Sequence, residues 1–478
     1  MITKFNFKDK TIKSYAIRKL TPFECFRLMG VRDDVIRMMQ STNAQAAERV
    51  AGYKSKGKAE DMAVSASQQY KQAGNSIVVD VLAAIYQQLW YPKEPKREAQ
   101  TSFFADFFPE DQLPTYPVDK NHGEKLILTT FSGYDSQLMA ADVLAQQHPD
   151  FRWTCVGWSD IDKYACQMHN LIFPQFADKA LGDITKIDWQ QVKNNVGGQE
   201  IDLFTYSSPC QDISQAGKQM GLKEGSDTRS ALLWRVADAV EVLRPKYLLQ
   251  ENVAALVSEK FMPDFQKWLD KLSSLGYVSR WARLNAKDYG VPQNRDRVFC
   301  LSMRKDVAFD YQFPDPVPLK RKLEDVLQEE VDTRFFLKDE AVSKFLQAND
   351  KDTCVFHQFE IEPSHENAMA LKAILTLYLE ETHLWLCTPQ ELQEQLSSAH
   401  EDIIMPLFND WKENGKFANS KLESMYHQFL EKKRARKRFA IRCRNALSVL
   451  HLLISLVMKS MEIMVISIFI IVRIAVQT

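Results

Sequence analysis

The chain has 478 residues, of which 45% are hydrophobic and 26% charged, a composition that excludes global disorder and predicts two or three domains with substantial cores. Its formal net charge of −1 excludes a global attraction to phosphate, so any nucleic-acid binding must come from a local basic face. The eight cysteines include no CxxC pair and no cysteine-histidine cluster at zinc spacing, which indicates reduced thiols in a cytoplasmic compartment and no metal site.

Two helices are predicted in the amino-terminal part. Residues 1–10 lack a continuous apolar core, so no secretory signal is expected. Thr21 and Glu24 have the spacing of a capping box around a proline, which predicts a helix to about residue 30. A glycine-asparagine-serine turn at Gly74–Ser76 is expected to start a second helix over 77–90. Free backbone N–H groups at such a turn could bind a polar ligand, although most such turns are only caps.

A proline-rich stretch over 91–124 is predicted to be a linker, and a different pattern begins at residue 125. From there, apolar runs and helical segments alternate at the spacing of a doubly wound sheet. The predicted strands are 126–130, 153–158, 201–206 and 247–250. One predicted helix ends near residue 147, and two others cover 163–171 and 231–242. This pattern predicts an α/β fold with a mainly parallel central sheet covered on both faces.

Two reactive side chains follow predicted strands at their carboxyl ends, where ligands bind in open α/β sheets. Cys210 stands after the strand 201–206, directly behind the rigid Pro209. A lone cysteine in a loop is more often inert than nucleophilic, so this position alone does not decide its role. Glu251 ends the strand 247–250, and a carboxyl group held there among apolar neighbours is suited to donate a proton.

Polar residues near three other strand ends permit two interpretations each. Asp160 could accept hydrogen bonds from a ribose diol or cap the following helix. Asp183, expected at the end of a further strand, could contact an adenine amino group or merely cap. In a strand, Gln293, Arg295 and Arg297 would share one face and could bind phosphate or a base oxygen, or form a solvated edge.

Together, these segments resemble the cytosine-5 DNA methyltransferases that use S-adenosylmethionine, over roughly residues 15–90 and 125–305. The motifs that carry the resemblance are Arg18-Lys19-Leu20-Thr21-Pro22-Phe23-Glu24, Gly74-Asn75-Ser76, Phe131-Ser132-Gly133, Asp160, Gly182-Asp183-Ile184, Pro209-Cys210-Gln211, Glu251-Asn252-Val253 and Gln293-Asn294-Arg295-Asp296-Arg297. In the usual member, the segments matching 15–30 and 68–90 come last. Here they come first, so the chain resembles a circularly permuted member in which 91–124 forms the join.

The resemblance implies a Rossmann-like S-adenosylmethionine methyltransferase fold with a smaller target-recognition region. It further implies that Cys210 adds to carbon 6 of a cytosine flipped out of the duplex, while Glu251 protonates ring nitrogen 3. Arg295 and Arg297 would bind the base oxygen or a nearby phosphate. The residues implied to bind the cofactor are Phe131, Gly133, Asp160, Ile161, Asp183, Ile184, Pro209, Leu232, Asn75 and Ile77.

Two departures from the family pattern affect the expected cofactor site. Tyr134, Asp135 and Ser136 replace the family's extra glycines in the first turn, which predicts a less close approach of the backbone to the cofactor. Ile161 stands where an aromatic ring often stacks on adenine, so only an apolar contact is expected there.

The predicted domains are 1–90 as the permuted carboxyl-terminal part of the catalytic domain, 125–306 as the catalytic and cofactor-binding core, and 307–445 as the target-recognition region. Segments over 320–327, 342–346 and 368–379 are predicted to be helical. A glycine-containing loop over 212–230 is predicted to close over the flipped base. The basic run at 432–438 either contacts phosphate or forms a solvated tail, and the apolar stretch 446–478 is interpreted as an aberrant carboxyl end rather than a membrane anchor.

The expected partner is duplex DNA, bound by a monomer. The protein is expected to be cytoplasmic and either prokaryotic or encoded by a phage. An RNA methyltransferase of the same fold acting on transfer RNA is the alternative enzyme, and a long region after residue 306 favours DNA because reading a duplex sequence needs added surface. A catalytically impaired DNA-binding relative is the second alternative, against which the presence of Cys210 and Glu251 argues.

Overall fold

In a computed structural model of the chain, the residues described are 1–6, 10–40, 64–92, 123–209, 232–349 and 354–431. The predictions made for Cys210, the loop 212–230, most of the linker, the basic run and the apolar tail therefore lie outside the described residues. The chain divides into two compact units: residues 20–330, and residues 1–19 together with the chain from 331 onward.

A six-stranded sheet forms the centre of the unit 20–330. In spatial order its strands are β4 (Trp153–Ser159), β3 (Lys125–Thr130), β5 (Leu203–Tyr206), β6 (Tyr247–Val253), β8 (Asp296–Arg304) and β7 (Tyr277–Asn285). Strands β3 to β6 are parallel, and β8 is antiparallel to both β6 and β7. The predicted α/β fold with a mainly parallel sheet is confirmed.

Helices cover both faces of this sheet. They are α1 (Pro22–Arg27), α2 (Asp33–Met39), α3 (Ala66–Asn75), α4 (Val79–Trp90), α5 (Ser136–Gln147), α6 (Lys163–Ile172), α7 (Trp189–Asn195), α8 (Leu233–Leu243) and α9 (Met262–Ser274). Every residue of β3 is buried, because successive side chains of this strand point alternately into the two cores on the two faces of the sheet. Ile127 packs with α4, α5 and α6, and Leu128 with α8 and α9. Each such side chain contributes roughly 2 kcal/mol through burial.

The amino-terminal helices agree with the sequence in part. The capping box at Thr21 and Glu24 is present, and α1 ends at Arg27, about one turn before the predicted end. The turn Gly74–Ser76, however, does not start a helix. Ser65 caps α3, whose good helix formers carry the helix on to Asn75, and α4 begins only at Val79. The turn therefore ends α3, and residues 77 and 78 separate the turn from the start of α4.

The prediction that Gln293, Arg295 and Arg297 share one face of a strand is wrong for the first two. Strand β8 begins at Asp296, and the preceding residues form a turn in which the Gln293 N–H donates to the Val291 carbonyl at 2.7 Å. Pro292 has no N–H to offer a ladder, which favours this turn over an extension of the strand.

The second unit contains a three-stranded antiparallel sheet in the order β2 (Thr11–Tyr15), β1 (Ile2–Asn6) and β9 (Cys354–Gln358). Its helices are α10 (Asp339–Asn349), α11 (His365–Thr382), α12 (Pro389–Ala399) and α13 (Met405–Asn414), and residues 420–431 are also helical. Leu371, Leu375 and Leu396 are buried in its core together with Phe5 of β1.

This arrangement differs from the predicted domains in two respects. Residues 1–19 pair with the carboxyl-terminal unit, whereas the sequence analysis placed them with the catalytic part. The boundary between units falls at 330/331 rather than 306/307. The predicted helices over 342–346 and 368–379 lie inside α10 and α11, but 320–327 contains only a 3₁₀ turn, Leu323–Val326. Within the described ranges, no helix is long and apolar enough to cross a membrane.

Candidate active site

The parallel strands β5 and β6 bring their carboxyl ends side by side. Tyr206 pairs with Gln250, so the residues that follow them, Ser207 and Glu251, stand next to each other. The Ser207 hydroxyl donates a hydrogen bond of 2.6 Å to Glu251 Oε2. Half-buried Pro209 follows in the chain and leads directly into Cys210. Glu251, the predicted proton donor, thus lies beside Ser207, three residues before the predicted nucleophile Cys210 in the sequence.

Glu251 is buried, with 6% of its surface exposed, and a second donor holds its other oxygen. Arg297 stands opposite Val253 in the antiparallel pair of β6 and β8. Its Nε lies 3.1 Å from Glu251 Oε1, while its Nη1 donates to the Asp296 carbonyl at 2.8 Å. A buried carboxylate needs such partners, and here each oxygen has its own.

Asn252 ties the same two strand ends together one residue further on. Its side chain is 2% exposed, and its Nδ2 donates to the Ser208 carbonyl at 3.3 Å. Its Oδ1 accepts the Val253 N–H at 2.8 Å, so the amide orientation is fixed from both ends. Asn252 therefore holds the backbone immediately before Pro209.

Arg295 connects the turn before β8 to the end of α3. Its Nη2 donates to the carbonyls of Gly74 and Ser76 at 2.8 and 2.6 Å, groups that have no partner inside the helix. The predicted contact of Arg295 with a base or phosphate stays a prediction, and this nitrogen is engaged with backbone. Asn75 is exposed beside it, whereas Ile77 is 5% exposed and its side chain belongs to the core.

The turn after β3 adopts an unusual backbone conformation. Phe131, Gly133 and Asp135 have φ angles of 53°, 59° and 68°, in the left-handed region. A Cβ added at Gly133 would meet nothing within 4 Å, so the outer side of this turn is open. Ser132 joins the turn to the end of β4, since its Oγ donates to the Ser159 carbonyl at 3.1 Å. The turn can therefore accept a ligand against its backbone without a side chain in the way.

Asp160 follows β4 and faces the same turn. Its Oδ2 accepts the Gly133 N–H and its Oδ1 the Asp162 N–H, both at 2.8 Å. Burial raises the pKa of this carboxyl group above its usual value. Each oxygen retains acceptor capacity for a hydroxyl group, because a carboxylate offers about four lone-pair sites. The adjacent Ile161 is apolar and 72% exposed.

Of the two roles considered for Asp183, the structure shows capping. Its carboxylate accepts the Thr185 N–H at 3.0 Å and the Thr185 hydroxyl at 2.8 Å at the start of a 3₁₀ turn, and the N–H bond lowers its pKa. It follows a single bridge between Trp158 and Ala180 rather than a full strand. The neighbouring Ile184 is buried, and Leu232 is half-buried before α8.

The three residues that replace glycines in the first turn point inward. Tyr134, Asp135 and Ser136 are only 1%, 0% and 2% exposed. The Tyr134 ring meets Phe26 edge-on at 5.5 Å between centroids. These side chains lie in the core and not on the open side of the turn, so the structure does not support the expectation that their bulk keeps the backbone away from a ligand.

Asp135 is the centre of a buried polar cluster behind the turn. Its carboxylate accepts the Thr129 hydroxyl at 2.7 Å and the Leu138 N–H at 3.2 Å, so it caps α5. His169 Nε2 approaches the same carboxylate to 3.4 Å without forming a hydrogen bond, and its ring stacks on Trp158 at 3.8 Å. No role was predicted from the sequence for Ser207, Asn252 or His169. For Ser207, a hydroxyl at a strand end two residues before the proline was an available signal.

Among the described residues, no group of three or more histidine, cysteine, aspartate or glutamate side chains could hold a metal ion. The site is therefore described by carboxylate, guanidinium, hydroxyl and amide groups, together with the open turn after β3.

Comparison with known proteins gives a consistent set of relatives. The family model described as C-5 cytosine-specific DNA methylase matches residues 2–90 and 139–428. The chain is 45% identical over 166 residues to the type II methyltransferase M2.ScrFI of Lactococcus lactis subsp. cremoris, which covers 35% of this chain and 44% of that protein. It is 43% identical over 136 residues to the orphan methyltransferase M.SssI of Spiroplasma monobiae, covering 27% and 35%. The chain thus spans less than half the length of these relatives.

A solved structure, the S. pombe Dnmt2 methyltransferase, matches 47% of this chain and 66% of its own at 18% identity, with a TM-score of 0.35.

Proposed function

Since the chain belongs to the C-5 cytosine-specific DNA methylase family, we propose that it transfers a methyl group from S-adenosylmethionine to carbon 5 of a cytosine in duplex DNA. The observation that carries the proposal is the buried Glu251, held by Ser207 and Arg297 at the strand end next to the segment leading into Cys210. This arrangement supports a proton-donating role for Glu251 beside the start of the segment that carries the Cys210 thiol.

The proposed chemistry uses Cys210 and Glu251 together. The Cys210 thiolate forms a bond to carbon 6 of the base while Glu251 gives a proton to ring nitrogen 3, which makes carbon 5 electron-rich. Carbon 5 would then form a bond to the methyl group as the bond between that group and the cofactor sulfur breaks. Loss of the carbon 5 proton, breaking of the bond to Cys210 and return of the nitrogen 3 proton to Glu251 restore the aromatic ring. Because these atoms are inaccessible in a stacked duplex, the base must be flipped out, at a cost of a few kcal/mol.

The cofactor is proposed to lie against the open turn after β3. Gly133 offers backbone with free space above it, Asp160 offers acceptor sites for ribose hydroxyls, and exposed Ile161 offers an apolar surface for adenine. These features fit S-adenosylmethionine, which supplies when bound the methyl group that carbon 5 receives. The other proposed contacts are Phe131, Asn75, Ile77, Asp183, Ile184, Pro209 and Leu232.

The biological setting is proposed from the relatives. They include type II methyltransferases of bacteria and orphan methyltransferases of Bacillus phages, which supports a role in restriction-modification or in protection of phage DNA, within the cytoplasm. The region after residue 307 is proposed to recognise the target sequence, and the protein to act as a monomer on DNA. The permuted segment order is likewise proposed, with 91–124 as the join.

Duplex DNA in which cytosine is replaced by 5-fluorocytosine tests the proposal. The last step needs the loss of a proton from carbon 5, and a fluorine atom at that position cannot be removed in this way, so the covalent adduct persists. With S-adenosylmethionine, the wild-type protein is expected to form a covalent adduct that survives denaturation, and Cys210→Ala none. Cys387→Ala is the matched thiol control, since Cys387 belongs to the other unit, and it should form the adduct normally. Absence of an adduct with the wild-type protein, or its persistence in Cys210→Ala, would refute the assignment.

Bisulfite sequencing of DNA from cells that express the protein supplies the recognition sequence. Methyl transfer to transfer RNA without transfer to duplex DNA would contradict the proposed substrate.

A further inference from the structure

The two oxygens of Glu251 have partners of different chemical character, an ion pair at Oε1 and a hydrogen bond at Oε2. Oε1 faces Nε of Arg297, and a guanidinium group can only donate. Oε2 faces the hydroxyl of Ser207, which can donate or accept by rotating about its C–O bond. In the observed arrangement the Ser207 hydroxyl donates at 2.6 Å, a length typical of an O–H group bonded to a carboxylate.

This asymmetry favours one of the two oxygens of Glu251 as the site of a proton. A proton on Oε1 would leave a hydroxyl oxygen facing Arg297, and the hydroxyl oxygen of a carboxylic acid accepts more weakly than its carbonyl oxygen, so the ion pair of 3.1 Å would be weakened. A proton on Oε2 causes no such weakening, because the Ser207 hydroxyl can turn and accept. The oxygen beside Ser207 is therefore the favoured site of the proton, because the carbonyl-type Oε1 then still faces Arg297 in the ion pair.

We infer that Ser207 is a positioning residue that keeps the transferable proton of Glu251 on Oε2 and stabilises the carboxylate left behind. The inference rests on the proposed function. When the Oε2–H bond breaks, the proton joins the lone pair of base nitrogen 3, and the negative charge stays on Glu251. The Ser207 hydroxyl then donates to Oε2, as seen in the structure, which lowers the free energy of the charged product.

The placement of Ser207 is set by the sheet and not by a mobile loop. Tyr206 and Gln250 pair in the parallel ladder of β5 and β6, so the next residues, Ser207 and Glu251, are held at the same level. One residue further, Asn252 donates to the Ser208 carbonyl and fixes the backbone on the other side of Ser207. Such a fixed partner needs no reorganisation when charge develops on the carboxylate.

The test compares Ser207→Ala with Ser207→Thr, which keeps a hydroxyl group on the same carbon. Single-turnover adduct formation is measured on 5-fluorocytosine duplexes with saturating S-adenosylmethionine. Ser207→Ala should slow the adduct about 10- to 100-fold, the effect of one hydrogen bond to a charged acceptor. Ser207→Thr should recover to within about threefold. Cofactor affinity should stay unchanged in both variants.

A matched control removes a half-buried hydroxyl elsewhere in the same sheet. Ser279→Ala deletes the partner of the Ser302 hydroxyl, 2.7 Å away between β7 and β8, and should leave the adduct rate unchanged. If Ser207→Ala does not fold by circular dichroism, Ser207→Cys replaces it, since a thiol has nearly the same shape but donates only weakly.

A second substrate separates positioning from a general structural role. In 5-azacytosine, a ring nitrogen at position 5 makes carbon 6 more electrophilic, so attack depends less on protonation at nitrogen 3. The loss in Ser207→Ala should therefore be at least threefold smaller on this base than on 5-fluorocytosine. An equal loss on both bases, or a Ser207→Ala rate within threefold of wild type, would overturn the inference. Failure of the wild-type protein to form any adduct would instead refute the proposed function.

Discussion

Replacing Asp135 by alanine should destabilise the unit 20–330 by about 3 kcal/mol, a large effect for one side chain. Asp135 is fully buried and adopts φ 68° at the start of α5. Its carboxylate accepts the Thr129 hydroxyl and the Leu138 N–H at 2.7 and 3.2 Å. Alanine removes both bonds and keeps a Cβ in a left-handed conformation.

Three contributions give this magnitude. Loss of a helix N-cap costs about 1 kcal/mol. Loss of a buried hydrogen bond to a charged acceptor costs about 1.5–3 kcal/mol, here the bond from Thr129. A left-handed backbone costs about 1–2 kcal/mol in a residue without the local hydrogen bonds that aspartate forms. Because the first two share one carboxylate, they are not fully additive, and a total of about 3 kcal/mol is expected.

The assay is urea denaturation of the full chain, followed by circular dichroism and tryptophan fluorescence, since Trp158 stacks on the neighbouring His169. Asp188→Ala is the matched control, because Asp188 caps α7 by accepting the Gln191 N–H at 3.0 Å. It should lose only about 1 kcal/mol. Asp135→Gly should be more stable than Asp135→Ala, since glycine adopts this φ freely. Equal losses at positions 135 and 188, or the opposite order of glycine and alanine, would refute the reasoning.

Two further predictions concern a backbone and a titratable group. Gly133→Ala should cost about 1–2 kcal/mol of stability, because the φ of residue 133 is 59°. The same change should weaken the binding of S-adenosylmethionine, measured by calorimetry, because the added Cβ would occupy the open side of the turn. Unchanged affinity would argue against a cofactor at this turn. Burial, together with the nearby His400, lowers the pKa of His357 to about 4. In the unfolded chain the same side chain has a pKa of about 6.5, so it binds a proton at a higher pH than in the folded protein. The stability that comes from keeping His357 neutral is therefore fully present above pH 6.5 and is lost as the pH falls towards 4. The urea midpoint of the second unit should drop between pH 7 and 5, and a His357→Gln variant with the same drop would contradict this origin.

The strand ends that carry the site were predictable from the sequence. The apolar runs before Ser207 and Glu251 are short, β-branched or aromatic, and bounded by polar residues, so local composition was sufficient. Residues 2–15 were not predicted as strands; β1 has one local partner, β2, but its second partner, β9, lies some 350 positions away in the chain. No local pattern indicates such a partner.

The hydrogen bonds of the site were less accessible to sequence reasoning. The bond from Ser207 to Glu251 follows from the register of two strands 44 residues apart, which a sequence does not display. The inward direction of Tyr134 and Asp135 follows from alternating left-handed residues, and such a backbone is rarely expected outside glycine. The engagement of Arg295 with the end of α3 likewise depended on a turn where a strand was expected.

The hydrogen bonds from Arg295 to the carbonyls of Gly74 and Ser76 join two segments that are far apart in the chain. Residues 64–92 also stack against the core through Tyr91 and His148, whose rings are 3.7 Å apart. These contacts are made between surfaces and do not require any particular peptide connection, so a breakpoint can move from one exposed stretch of chain to another while the assembled site keeps its parts. A split gene that encodes residues 1–92 and 123–478 as separate polypeptides would accordingly retain every contact described within the unit 20–330.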